Sequence, residues 1–138
     1  MASAVVGLIG AVIGGLLVTL GDLMARRIER RADRREQLRL AAAGVIASYL
    51  HARSHLIVVH RQGQTLNHKD IWPDDRYIAT AQLFTLPGAE HLHELMGALR
   101  NATLAMYEET DLALFALCCD EQMAAIQNFE TRIRELSS

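Results

Sequence analysis

The chain has 138 residues, a net charge of −2 at neutral pH, and two cysteines that sit side by side at Cys118 and Cys119. Adjacent cysteines cannot build a disulfide framework, and they fit a reducing cytoplasm. The small net charge hides a split, because residues 26–61 carry nine arginines against three acids while residues 62–138 carry five bases against twelve acids, which points to a membrane-facing basic end and an acidic distal end.

No charged residue occurs from Met1 to Gly21. At about 1.5 Å rise per residue this run makes a helix of roughly 30 Å, the thickness of a bilayer's hydrocarbon core. Residues 1–25 are therefore expected to form a single transmembrane helix. A cleaved signal peptide would carry its positive charges before the apolar run, whereas here Arg26-Arg27-Ile28-Glu29-Arg30-Arg31 follows it. A buried helix in a soluble core fits less well, since Gly7, Gly10, Gly14, Gly15 and Gly21 offer little apolar surface, yet glycine is common where helices meet in lipid. Arginine after a span stays on the cytoplasmic side, so the N-terminus is expected outside and the rest inside. Thirteen arginines against the single Lys69 suggest a GC-rich bacterial genome, and hence an inner membrane.

The small residues of this segment share one face. At about 100° per residue, Ser3, Gly7, Gly10, Gly14, Gly21 and Ala25 fall within a sector of about 60°, with Leu8, Ile9, Val12, Ile13 and Leu16 elsewhere. Gly10 and Gly14 form a small-xxx-small element, and Gly7, Gly14 and Gly21 recur every seven residues. Such a groove admits a neighbouring backbone, so Ser3, Gly7, Gly10, Gly14 and Gly21 are the candidate helix-packing residues and a homo-oligomer is the expected assembly.

Residues 26–37 read as a basic juxtamembrane helical stalk. Glu29, Asp33 and Glu36 occupy one side and the arginines most of the rest, which is the pattern of a solvated helix. Asp22 and Arg26 are spaced for a favourable i,i+4 pair. Arg26, Arg27, Arg30, Arg31, Arg34 and Arg35 are the candidate contacts to anionic lipid headgroups, at about 1 kcal/mol for each close to the surface. Nucleic acid is not expected as a partner, because the arginines follow a span and no aromatic or fold signature accompanies them.

Residues 38–138 are expected to form a small cytoplasmic antiparallel bundle of three or four helices, making the chain all-α. Leu38, Ala42, Val45, Tyr49, Ala52, Leu56 and Val59 recur at three- and four-residue spacing, predicting a helix to about His60. Gly63 and the polar run from Gln64 to Arg76, with Asn67 and the turn Trp72-Pro73-Asp74-Asp75, break it. A short helix is expected over Asp75–Phe84 and is ended by Leu86-Pro87-Gly88. Leu92, Leu95, Met96, Leu99, Thr103 and Met106 define the next stripe. The last is Leu112, Phe115, Cys119, Met123, Ile126, Phe129, Ile133 and Leu136, in near-heptad, coiled-coil-like spacing, with Thr110 or Asp111 as its cap.

Candidates for chemistry are few. His51 and His55 lie four apart, and His91 and His93 flank Leu92 beside Glu90 and Glu94, but a metal site would need the two segments to meet, and an exposed or subunit-facing pair is the expectation for His51 and His55, which lie off the main apolar stripe. Cys119 lies within the last apolar stripe and reads as a small core residue. Trp72 reads as a packing residue or a contact with lipid. There is no glycine-rich phosphate loop, nucleophile elbow or HExxH motif, so no enzyme activity, cofactor or metal is expected. The function expected from sequence is that of a single-pass membrane-anchored helical protein acting as an oligomeric scaffold or recruiting a protein partner. The alternative is a pore-forming effector assembled through the glycine seam, with Thr19 and Asp22 near its cytoplasmic end.

Overall fold

The computed structural model describes the backbone of residues 2–65 and 74–138, with side chains over 14–65 and 76–138. Among these residues the chain is all-α and has no strand. Its helices are α1 (Ala2–Gln62), α2 (Asp74–Phe84), α3 (His93–Glu108) and α4 (Leu112–Leu136), with a 3-10 turn at Ala89–Leu92 leading into α3. Two compact units are distinguished, residues 1–34 and residues 35–138. Asn67, Trp72 and Pro73 lie outside the described residues, as do the side chains of Ser3, Gly7 and Gly10.

The second unit is built around the α1 stripe. Leu38, Ala42, Val45, Tyr49, Ala52, Leu56 and Val59 are all buried, so the seven positions expected from spacing form one continuous core face. The helix runs two residues past His60 and ends in a Schellman arrangement. Gly63 takes a positive φ of 61°, and the Gln64 amide donates back to the Val59 carbonyl at 3.2 Å. Only glycine adopts that backbone conformation without cost, which fixes the stop one residue before it.

Cross-contacts give the helix directions. Arg39 of α1 meets Ser137 just beyond α4, Arg53 meets Cys119, and His60 stacks on Phe115 at 3.8 Å. The α1 numbers rise as those of α4 fall, so these two helices are antiparallel. Helix α2 also runs against α1: a Cβ on Gly44 would lie 3.6 Å from the Ala79 Cβ, and the Arg76 guanidinium lies 5.8 Å from the Tyr49 ring centre. The result is an up-down-up-down bundle with a short second helix.

Each turn has a local cause. Leu86-Pro87-Gly88-Ala89 is a type II turn, with Gly88 at φ 90° and ψ −7° and the Ala89 amide donating to the Leu86 carbonyl at 3.3 Å. Proline sets φ at the first central position and glycine supplies the positive φ at the second. Between α3 and α4, Glu109 Oε1 accepts from the Thr110 and Asp111 amides at 3.0 and 2.9 Å. Asp111 Oδ1 then accepts from Ala113 and Leu114 at 2.8 and 3.1 Å, which makes Asp111 the N-cap of α4.

The α4 stripe differs from expectation at two positions. Gln122 is fully buried, Met123 only partly, and Leu112 stands 71% exposed. The core face is Phe115, Cys119, Gln122, Ile126, Phe129 and Ile133, an unbroken alternation of four and three. After Cys119 the helix geometry requires position 122, and Met123 is rotated about 100° away from it. Leu112 lies in the first turn, ahead of the Phe115–His60 stack with which α4 begins to pack on α1.

Candidate membrane-facing segment and polar clusters

In the first unit the described apolar side chains are bare. Leu17 is 64% exposed, Met24 68% and Ile28 67%, and Leu16, Val18, Leu20 and Leu23 are similarly open. Exposure this dense on consecutive turns of one helix marks a surface that water does not favour. Helix α1 is long and apolar enough to cross a membrane, by length and composition. Thr19, the one hydroxyl between Gly14 and Gly21, donates to the carbonyls of Gly15 and Leu16 at 2.9 and 3.0 Å. A polar group satisfied within its own helix suits an apolar medium.

Among the sequence-derived packing residues, Gly14 and Gly21 are exposed, and a Cβ at either would meet nothing within 4 Å. Ser3, Gly7 and Gly10 belong to the same helix, with side-chain surroundings outside the described residues. Arg26, Arg27, Arg30, Arg31, Arg34 and Arg35 are all exposed. The Asp22–Arg26 pair is not formed; the ion pairs seen among the described residues are local ones such as Arg132–Glu135 at 2.7 Å and Arg134–Glu130 at 2.5 Å.

The histidines are dispersed. His51, His91 and His93 are exposed and His55 is half-buried, and among the described residues no three His, Cys, Asp or Glu side chains group as metal ligands. His93 stacks on Phe84 at 4.4 Å. Cys119 belongs to the hydrophobic core. Burial pushes its thiol pKa up, with the Arg53 guanidinium acting in the opposite direction.

The centre of the bundle holds a polar cluster that periodicity does not reveal. Gln122 Nε2 donates to Thr103 Oγ1 at 2.8 Å and to the Tyr49 carbonyl at 3.4 Å, while its Oε1 accepts from Arg53 at 3.5 Å. Thr103 donates in turn to the Leu99 carbonyl at 2.8 Å, and Arg53 also reaches the Cys119 carbonyl. One amide thus joins α1, α3 and α4. A cluster of this kind fixes the helix register, because sliding any one helix would leave a buried amide without partners. At the far end, Arg39 donates to the Ser137 hydroxyl and carbonyl at 3.1 and 3.3 Å. Hydrophobic periodicity gives no signal for either, because it assigns polar residues to water.

No protein-family model matches the chain, nor does any curated protein or solved structure.

Proposed function

We propose that this chain is a single-pass protein of a bacterial inner membrane, with its N-terminus outside and its helical bundle in the cytoplasm, that serves as an oligomeric scaffold or partner-recruiting module rather than an enzyme. The observation that carries the reading is the segment from Gly14 to Met24, whose apolar side chains stand exposed, followed at once by six exposed arginines. A bilayer would cover the first and its anionic headgroups would attract the second. The open face at Gly14 and Gly21 supports self-association, since a second backbone could approach without displacing any side chain.

The scaffold reading is preferred over a pore. A pore needs polar groups facing a lumen along the span, and between Gly14 and Gly21 the one hydroxyl, that of Thr19, turns to its own backbone, which leaves only Asp22 at the end of the segment. A reporter active only in the cytoplasm, fused after Ser138, tests the topology: activity is expected, together with retention in the membrane after alkaline carbonate washing. An inactive fusion overturns the orientation, and release by carbonate overturns the span.

A further inference from the structure

The start of α4 is apolar on every side. Leu112 to Cys119 are eight successive apolar residues, about two turns of helix, and the bundle takes up only one flank of them. Phe115 and Cys119 are buried, Ala113 and Ala116 are exposed, and Leu112, Leu114 and Leu117 each keep half or more of their surface in the open. A helix apolar all round is one that is covered all round, and three open leucines on adjacent turns form a patch rather than scattered surface residues. Beside them Ile57, Leu112, Phe115 and Ala116 line a groove of about 290 Å³ between α1 and α4, large enough for an apolar side chain.

The charge around the patch restricts what can cover it. From Asn101 to Thr131 there are six carboxylates and no lysine, arginine or histidine. Glu109 and Asp111 stand just ahead of the leucines and Asp120 and Glu121 just behind them. Asp120 and Glu121 are exposed, and neither has an ion-pair partner among the described residues. Residues 66–75, whose side chains lie outside the described set, hold three acids against Lys69 and His68, so they add no net positive charge. The bases that line the groove, Arg53 and Arg61, stand on α1, and Arg53 is turned to the Cys119 carbonyl and Gln122. An anionic lipid surface is repelled by carboxylates so placed. A second copy laid α4 on α4 sets carboxylate against carboxylate in either direction, which disfavours it. A segment whose apolar residues are flanked by lysine or arginine suits both the leucines and the carboxylates.

We infer that this face of α4 docks a basic amphipathic helix of a partner protein. Its apolar residues lie on Leu114 and Leu117 and in the groove beside Leu112, and its lysine or arginine side chains lie over Asp120 and Glu121. The inference rests on the partner-recruiting part of the proposed function and deepens it. Release by carbonate would overturn the span and leave this face standing, and failure of docking would leave the span standing.

The probe is a fluorescent helical peptide built only of leucine and lysine, with leucines at i, i+3, i+4 and i+7, titrated against full-length protein at fixed dodecyl maltoside with empty micelles as the baseline. The same peptide with glutamate in place of lysine is the counter-probe. Saturation at one lysine peptide per chain is expected, about tenfold weaker in Leu114→Ser/Leu117→Ser and in Asp120→Lys/Glu121→Lys, and unchanged in Leu40→Ser, at an exposed leucine of α1. All three variants alter exposed positions, so helix content holds. Asp120→Lys/Glu121→Lys should also bind the glutamate peptide that the native chain rejects, an exchange that unspecific apolar adsorption does not give. Failure to saturate, equal binding of the two peptides by the native chain, or unchanged binding in both double variants would overturn the inference. Two further results would overturn it by naming another occupant. A lower sedimenting mass of Leu114→Ser/Leu117→Ser without peptide gives the face to a second copy, and quenching of Leu117→Trp fluorescence by brominated phosphatidylglycerol, beyond that of Trp72, gives it to lipid.

Discussion

Replacing Gln122 by alanine removes a side chain that hydrogen-bonds to both α1 and α3. The amide loses its bonds to Thr103, to the Tyr49 carbonyl and from Arg53. Thr103 keeps its bond to the Leu99 carbonyl, so its hydroxyl is not stranded. At a net 0.5–1.5 kcal/mol per hydrogen bond, with the 3.4 and 3.5 Å contacts counted at the low end, and about 0.8 kcal/mol for each buried methylene deleted, the change should cost about 2–4 kcal/mol. For a bundle of this size that lowers Tm by roughly 10–20 °C. Gln122→Met keeps most of the volume and should cost only about 1–2 kcal/mol, because the Tyr49 carbonyl lies within α1 and the Thr103 hydroxyl keeps its bond to the Leu99 carbonyl. Adding Thr103→Val to Gln122→Met should then be less than additive by at least about 0.5 kcal/mol, since the two side chains share a bond. Thermal unfolding of the full chain in detergent, followed by far-ultraviolet circular dichroism, measures all three. If Gln122→Ala melts within about 3 °C of the native chain, the cluster does not hold the helices in register.

Leu56→Ala, at a fully buried α1 position, should cost about 2–5 kcal/mol in the same assay, whereas Leu114→Ala on the exposed side of α4 should stay within about 0.5 kcal/mol; similar losses would mean that the core is misassigned. Replacing Arg26, Arg27, Arg30 and Arg31 with Gln should reduce binding to anionic vesicles or disturb orientation more than the same change at Arg132 and Arg134, and equal effects would deny the juxtamembrane cluster a special role. Raised native pKa values at Cys119 and Tyr49, both caused first by burial, mean that the fold holds these protons more tightly than the unfolded chain does. Their contribution is therefore complete at neutral pH and is lost as pH rises past the ordinary thiol and phenol values, so urea midpoints should fall above about pH 9. A midpoint that holds or rises between about pH 8 and pH 10.5 would contradict that sign.

Legibility followed the physics of each element. The α1 core face could be read completely because seven apolar residues keep step with the helix from Leu38 to Val59. Asp111 and Gly63 were legible as punctuation, since a side-chain acceptor at an N-cap and a positive φ after a helix need those residue types. Gln122 was not, because hydrophobic periodicity assigns polar residues to water; only its hydrogen-bonding partners on α1 and α3 make it a core residue. The His60–Phe115 stack was hidden for a related reason. It depends on which helices lie side by side, and that choice rests on contacts between distant residues rather than on local spacing.

The central claim, that the N-terminal helix anchors the chain and joins it to further copies, rests most directly on Gly14. A Cβ added there meets nothing within 4 Å, and isoleucine is a better helix former than glycine, so the isolated helix has no reason to suffer. Any loss on substitution must come from a partner. Sedimentation of full-length Gly14→Ile in dodecyl maltoside, beside native protein and Val12→Ile, is the decisive measurement. Native protein and Val12→Ile should sediment as an oligomer, and Gly14→Ile should shift clearly toward monomer. A native chain that sediments as a monomer, or a Gly14→Ile variant that keeps the native mass, would contradict it.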